Sequence, residues 1–549
     1  MRSLAYLVVA LLSATACSAA QTQPAPPLSP TAPKLIVAIS VDQFSADLFD
    51  EYRPVLLGGI GRLATGTVFR NGYQGHNATE TCPGHSTIMT GARPSRTGVI
   101  ANNWFDLDQA RSDKSVYCAE DERVAGTSSI EYKVSPYHLR VPTLGDLLKQ
   151  AQPGSRNVAV AGKDRAAVMM GGRALDQRWY WDGKTFSTDL QGVGMPRAVT
   201  AARTVVAQAI ASERPALQMP TLCQSKAKVY PIEGGNGLAV GGGAFARPAG
   251  DLRGFRASPE FDGSTLALAA ALIGEMKLGK GTSTDIISVG LSATDYVGHG
   301  YGTQGAEMCL QLFSLDRDLG DFFRYLDSQG IDYLVMLTAD HGGQDIPERK
   351  RDHGVPGAAR VPDALYAAEV GKAIAAKLKL SGPVLYGDAF GDMYVDRKLS
   401  PSDRTRALAA AVEAYRAHPM VEAVFAHQQL KATPSPTGTP DQWSLIERAR
   451  ASFDDERSGD FVVLLKRDIM PIAHPSQTYV STHGSAWDND RRVPVILWRQ
   501  GMAASNRNDS IETADIMPTL AASIGLPVDT RKIDGQCISG IQGIACPAP

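Results

Sequence analysis

Four short clusters, far apart in the chain, carry residue types that could act together: Asp42, the run Thr81 Cys82 Pro83 Gly84 His85, the pair Asp295 and His299, and Asp340 His341, answered late by His483. Three carboxylates and three imidazoles are enough to ligate two Zn²⁺ ions and leave a hydroxyl free as nucleophile. That combination is suited to hydrolysis of a phosphate ester.

Each cluster also has a plainer reading. Pro83, two residues after Thr81, helps set a turn that opens a helix. There a hydroxyl would face unpaired backbone N–H groups and the positive dipole end, which favour an oxyanion and a phosphoryl group. Taken alone, Thr81 reads as readily as a helix cap, and Thr79, Ser86 and Thr87 are rival hydroxyls. Asp295 and His299 share a face if their segment is helical. Asp340 His341 is followed by Gly342 Gly343, which suits close backbone approach to an ion. His483 alone reads as a surface loop histidine. His353, after the run Glu348 Arg349 Lys350 Arg351, reads as solvated, and His85 as a supporting or packing histidine. Lys163 Asp164 Arg165 could be a solvated triplet. In an extended segment, however, Lys163 and Arg165 would share a face and aim two cations at a monoester dianion, with Asp164 turned away.

The elements that must position these residues are legible nearby. Leu35 to Val41 is a continuous apolar, β-branched run, the pattern of a strand buried on both faces of a parallel sheet, and Asp42 stands at its C-terminal end. The same pattern recurs at Asp285 to Val289, ahead of Asp295, and at Tyr333 to Thr338, ahead of Asp340. Ligands of open α/β sheets gather at such ends. Helical periodicity at Ala201 to Ser212, Ala367 to Leu378 and Thr405 to Ala417 completes an α/β pattern, a doubly wound, mostly parallel central sheet with helices on both faces. One catalytic domain is expected over 34–549, with capping insertions at about 157–259 and 385–478.

The 549 residues are 44% hydrophobic with a formal charge of -2, so a large core is available and no global basic field points to nucleic acid as main partner. Met1 Arg2, the apolar run Leu4 to Leu12 and the small residues to Ala20 read as a signal peptide over 1–20, too short to span a bilayer. A Pro-rich tether over 21–33 follows. A periplasmic or secreted location is expected. Cys17 resembles the end of a lipoprotein cleavage box, although Ala14 stands where such boxes usually carry Leu. The six remaining cysteines, Cys82, Cys118, Cys223, Cys309, Cys537 and Cys546, suit disulfides in an oxidising compartment, and only the short Cys537 to Cys546 loop suggests a pairing.

The run Thr81 to Gly91, followed by Pro94, Gly98 and Asn102 Asn103 Trp104, resembles the alkaline phosphatase superfamily branch with a threonine nucleophile. That branch includes threonine-type bacterial alkaline phosphatases and nucleotide pyrophosphatase/phosphodiesterases. The resemblance runs from Asp42 to His483. It implies that Asp42, Asp340 and His341 hold the zinc that activates Thr81, that Asp295, His299 and His483 hold the zinc facing the leaving group, and that Thr81 itself is a ligand. Two zincs and no Mg²⁺ are expected. Lys163 and Arg165 resemble the cation pair of the alkaline phosphatases, absent from the diesterases, and Asn102 would donate to the phosphoryl group. The expected activity is broad hydrolysis of small phosphate monoesters through a phosphothreonine, by a monomer. The rivals are a phosphodiesterase with the same metals, a sulfatase, disfavoured because Cys82 Pro83 Gly84 lacks the CxPxR pattern, and a catalytically silent metal-containing binder.

Overall fold

The computed structural model describes residues 31–548. The expected signal peptide, Cys17 and most of the expected tether lie outside the described residues. A nine-stranded sheet runs through the centre. Its strands are β1 (Leu35–Val41), β2 (Thr67–Tyr73), β3 (Asn157–Ala161), β4 (Gln177–Trp181), β5 (Phe186–Ser187), β6 (Asp285–Leu291), β7 (Tyr333–Thr338), β8 (Arg492–Arg499) and β9 (Ser505–Glu512). Their spatial order is β9-β2-β8-β7-β1-β6-β3-β4-β5. The block from β7 to β4 is parallel, whereas β8 pairs antiparallel with both β7 and β2.

β1 is central because both its faces are apolar. Leu35, Val37, Ile39 and Val41 enter one hydrophobic cluster, and Ile36 and Ala38 enter the cluster on the opposite face. That is the period of two expected of a strand covered on both sides. The first cluster is filled by helices Pro259–Met276 and Ala306–Ser328, the second by Ile516–Ser523 and part of Thr81–Thr90. No helix of the described residues is long and apolar enough to cross a membrane.

The span 157–259 departs from the expectation of a capping insertion. Its first third supplies β3, β4 and β5 to the central sheet itself. These are strands of two to five residues, and β3 contains two alanines, so none has the long β-branched signature of β1. The later segment does build a separate layer. Strands Leu385–Tyr386, Gly391–Val395, Phe461–Leu465 and Val421–Ala426 form an antiparallel sheet, backed by helices Ala367–Leu378 and Pro401–Ala417, with its own hydrophobic cluster. The three disulfides join Cys82 to Cys118, Cys223 to Cys309, and Cys537 to Cys546, the last as anticipated.

Candidate metal centre

Four neighbouring strands, β7, β1, β6 and β3, end together. In register, Val41 of β1 lies opposite Leu291 of β6, and Ser40 opposite Thr338 of β7. Asp340 follows β7 by two residues, Asp42 follows β1 directly, and Lys163 follows β3 by two residues. Asp295 lies in the first turn of the helix Ala293–Tyr301, which opens just after β6, and His299 sits one turn further on. The i, i+4 pairing expected from spacing is therefore helical. Three acids and a lysine thus converge on one edge because four parallel strands end in register there.

The imidazoles arrive from loops and are fixed from behind. The Nδ1 atoms of His299, His341, His483 and His85 lie 2.8 Å from the carbonyl oxygens of Ser481, Gly342, Thr79 and Thr81, respectively. A carbonyl only accepts, so each Nδ1 carries the proton and each Nε2 presents its lone pair to the site, the arrangement that orients metal-binding histidines. His483 is therefore anchored two residues from Thr81, which brings the candidate ligand most distant in sequence beside the Thr81 hydroxyl.

Two triads result. Asp295, His299 and His483 offer ligand atoms within 4.8 Å of one another, and so do Asp42, His85 and Asp340. His341, which the resemblance pairs with Asp42 and Asp340, lies alongside the second triad. Its Nε2 is 3.2 Å from Asp340 Oδ2 and its ring stacks on His483 at 3.6 Å between centroids. His85, read from sequence as a supporting histidine, touches both acids at 3.3 Å. It had no spacing signal, because its place depends on the first helical turn packing against Asp340. Gln43 was likewise missed. With φ of 63°, it turns so that its backbone N–H donates to Asp340 and its Nε2 to Asp295 at 2.9 Å, spanning both triads. Its only signal was adjacency to Asp42.

Several buried polar atoms without a hydrogen bond lie here: both Asp42 oxygens, Asp340 Oδ2, Thr81 Oγ1 and the Nε2 atoms of His85 and His341, the carboxylate oxygens meeting only ion contacts from Lys163, His85 and His341. Buried carboxylates and imidazole lone pairs facing one another in this way are costly unless cations satisfy them. Carboxylates and imidazoles without thiolates form a donor set that fits Zn²⁺. The electrostatics agree. Burial works against it, yet the charges of His299 and Lys163 hold Asp295 well below the usual carboxylate range. His341 is pushed up to about 9, because the Asp340 carboxylate overrides burial, whereas burial and His341 together press His483 down to about 4. The site gathers positive charge around its acids, the role a divalent cation would take over with release of protons.

Thr81 begins the helix Thr81–Thr90, with Glu80 rather than Thr81 as the N-cap, and its hydroxyl is fully buried. Gly84 of the same turn packs so closely on Asp340 that a Cβ there would lie 2.1 Å from the Asp340 carbonyl oxygen. Asn102 Oδ1 accepts from Cys82 N at 2.8 Å, and Asn102 N donates to Glu80 at 2.7 Å, which pins the asparagine beside Thr81. Asn102 lines a cavity of about 530 Å³ that also reaches Arg165, His299 and His483.

The cation pair is placed differently from expectation. Lys163 is the N-cap of the helix Asp164–Gly171, so Asp164 and Arg165 are helical rather than extended. Asp164 does face away, accepting from the hydroxyls of Tyr117 and Tyr132 at 2.8 Å each. Lys163 Nζ sits between Asp42 at 2.9 Å and Asp295 at 2.6 Å, and Arg165 lines the cavity with its Nε unpaired. His353 is exposed, as read.

The comparisons with known proteins follow the same pattern. The profile of the family described as type I phosphodiesterase / nucleotide pyrophosphatase matches residues 36–486. The chain is 53% identical over 522 residues to alkaline phosphatase PhoK of Sphingomonas, covering 94% of this chain and 92% of that one. To alkaline phosphatase PhoD of Zymomonas mobilis it is 45% identical, covering 92% and 88%. The crystal structure of wild-type alkaline phosphatase PafA superposes with a TM-score of 0.76 at 27% identity, covering 90% of this chain and 96% of that one. The chain belongs to the type I phosphodiesterase / nucleotide pyrophosphatase family of the alkaline phosphatase superfamily.

Proposed function

We propose that this protein is an alkaline phosphatase that hydrolyses small phosphate monoesters at a two-zinc site, with Thr81 as nucleophile. The observation that carries the reading is the row of strand ends that sets Asp340, Asp42, Asp295 and Lys163 side by side, with the Thr81 hydroxyl unpaired at the adjoining helix N-terminus. Asp42, Asp340, His85 or His341 would hold one metal, and Asp295, His299 and His483 the other. Bound there, two divalent cations lower the pKa of a ligating hydroxyl and neutralise charge on the transferring phosphoryl group.

The chain's own groups do the rest. Thr81 Oγ attacks phosphorus in line and becomes phosphorylated, so the ester oxygen departs on the side of His299 and His483. Asn102 Oδ1 is held by the Cys82 N–H, which leaves its Nδ2 amide to donate to a non-bridging oxygen, while the positive end of the helix dipole at Thr81 favours the phosphoryl charge. Arg165 offers a planar fork to two of them, a gain for a monoester dianion that a diester cannot fully use. Lys163 balances the acids between the two triads rather than standing free in the cavity.

The candidate ligands are complete within one chain, so the chemistry requires no second copy, and we propose action as a monomer. Export to the periplasm or beyond is supported by three disulfides and by the basic-then-apolar start of the sequence. The test compares a monoester and a diester of one leaving group, with zinc content measured. Arg165→Ala should lower kcat/KM roughly 10²-fold on the monoester and much less on the diester. Equal losses on both, or faster turnover of the diester by the unmodified enzyme, would favour the phosphodiesterase reading.

A further inference from the structure

The cavity that reaches the metal centre has an unusual balance of charge. Arg165 is its one cation, and the phosphoryl group takes it. Three carboxyls line the same space: Glu80 beside the nucleophile, and Asp388 and Asp392 from the capping sheet. None of the three has an ion-pair partner among the described residues. Each accepts one backbone N–H instead, Glu80 from Asn102, Asp388 from Ala389 and Asp392 from Gly459. The walls between them are aromatic, with Trp104 and Tyr394 among them.

These carboxyls are positioned to meet the leaving group. His299 and His483 form part of the cavity lining, so the ester oxygen that departs beside them extends into the same space. The phosphoryl end is served by Arg165 and Asn102, which leaves the capping acids to face whatever the phosphate is attached to. An ammonium group there gains attraction from carboxylates that have no cation of their own. A second anionic group is repelled. Burial raises Asp392 only to about 6, so it is ionised at the alkaline pH where a monoester is a dianion.

We propose that the cap side of this cavity is a subsite for a cationic leaving group, which makes phosphate monoesters of amino alcohols the preferred substrate class and disfavours monoesters that carry a further carboxylate. The inference rests on the phosphatase reading above. It assigns Asp388 and Asp392 as residues that determine specificity and leaves the chemistry of the phosphoryl transfer unchanged.

The test uses three esters with two-carbon leaving groups of similar size that end in an ammonium, a hydroxyl or a carboxylate: 2-aminoethyl phosphate, 2-hydroxyethyl phosphate and phosphoglycolate. kcat/KM should fall in that order. In the variant Asp388→Asn/Asp392→Asn the ratio of ammonium to hydroxyl ester should drop by roughly five- to tenfold, as expected for losing two partly solvated ion contacts. Comparing this ratio between enzymes cancels the intrinsic reactivity of each leaving group. Should the variant fold poorly, the unmodified enzyme still serves, because raising NaCl from about 10 mM to about 500 mM screens exposed Asp388 and should lower the ratio at least about twofold. A ratio that moves with neither substitution nor salt overturns the subsite. Failure to release phosphate from any of the three esters overturns the phosphatase reading itself.

Discussion

Lys163 is the residue whose replacement should separate the metal-loaded from the metal-free protein. Its ammonium is 1% exposed and lies 2.9 Å from Asp42 and 2.6 Å from Asp295, both buried. Lys163→Met keeps most of the apolar stem and removes the charge, leaving two buried carboxylates without their shared cation. Breaking a buried pair from one side costs about 3–5 kcal/mol. Unfolding entropy scales as about 2.1 cal/mol/K per residue, which for 549 residues is about 1.1 kcal/mol/K. In the chelated protein the substitution should therefore lower Tm by roughly 3–5 °C. With zinc in excess the two carboxylates have divalent partners, and the loss should shrink to less than half. The assay is calorimetry of both proteins, each with chelator and with zinc. An equal shift in both conditions would refute the reasoning, since it would mean that Lys163 and the metals do not satisfy the same carboxylates.

On the proposed mechanism Thr81→Ala should reduce kcat by at least about 10³-fold while zinc content stays within error, because the hydroxyl would be one ligand among several but the sole attacking atom; normal turnover, measured by phosphate release, would dismiss Thr81 as nucleophile. Asp262, buried with Asp42 and Asp318 as its charged neighbours, accepts from Ala293 N and Gln311 Nε2, and burial raises its pKa from 3.8 to about 7. The folded state thus binds the extra proton between these values, and its stability falls as pH rises through that window. Asp262→Asn removes the titration, and its amide can pair with the unpartnered Gln311 Oε1 after a flip. The variant's Tm relative to the parent should rise steadily between pH 4 and pH 8, and a difference independent of pH would contradict the assignment. Replacing Cys82 and Cys118 by Ser opens a loop with a sequence separation of 36, which at the chain-entropy estimate costs about 4 kcal/mol; calorimetry showing no loss would mean the unfolded state does not gain that freedom.

Much of the site could be read from the sequence, and for physical reasons. A strand buried on both faces must be apolar throughout, so β1, β6 and β7 are legible as runs, and the polar residue that ends each run marks the sheet edge where ligands collect. Asp295 and His299 are legible because helical geometry turns a spacing of four into one face. The failures have an equally specific origin. β3 and β4 are short, and β3 is rich in alanine, so their membership of the sheet is decided by neighbours rather than by pattern. Two cations one residue apart fit an extended segment from Lys163 to Arg165, but only Lys163, the N-cap, is extended, because the helix opens at Asp164 and turns Arg165 into its first turn. Gln43 and His85 owe their roles to contacts with residues hundreds of positions away, which leave no local trace. The acids of the cap, Asp388 and Asp392, belong to a layer whose docking over the cavity only the tertiary structure shows.

The bare contact between Gly84 and the Asp340 carbonyl carries a consequence for anyone who would redesign this protein. Two stretches of backbone more than 250 positions apart touch there with no side chain between them, so the gap from attacking oxygen to acid is set by main-chain thickness alone. Residues lining the cavity could be exchanged by point changes. That gap could not: even the addition of one methyl group at Gly84 would have to displace the whole helix and every donor mounted on it.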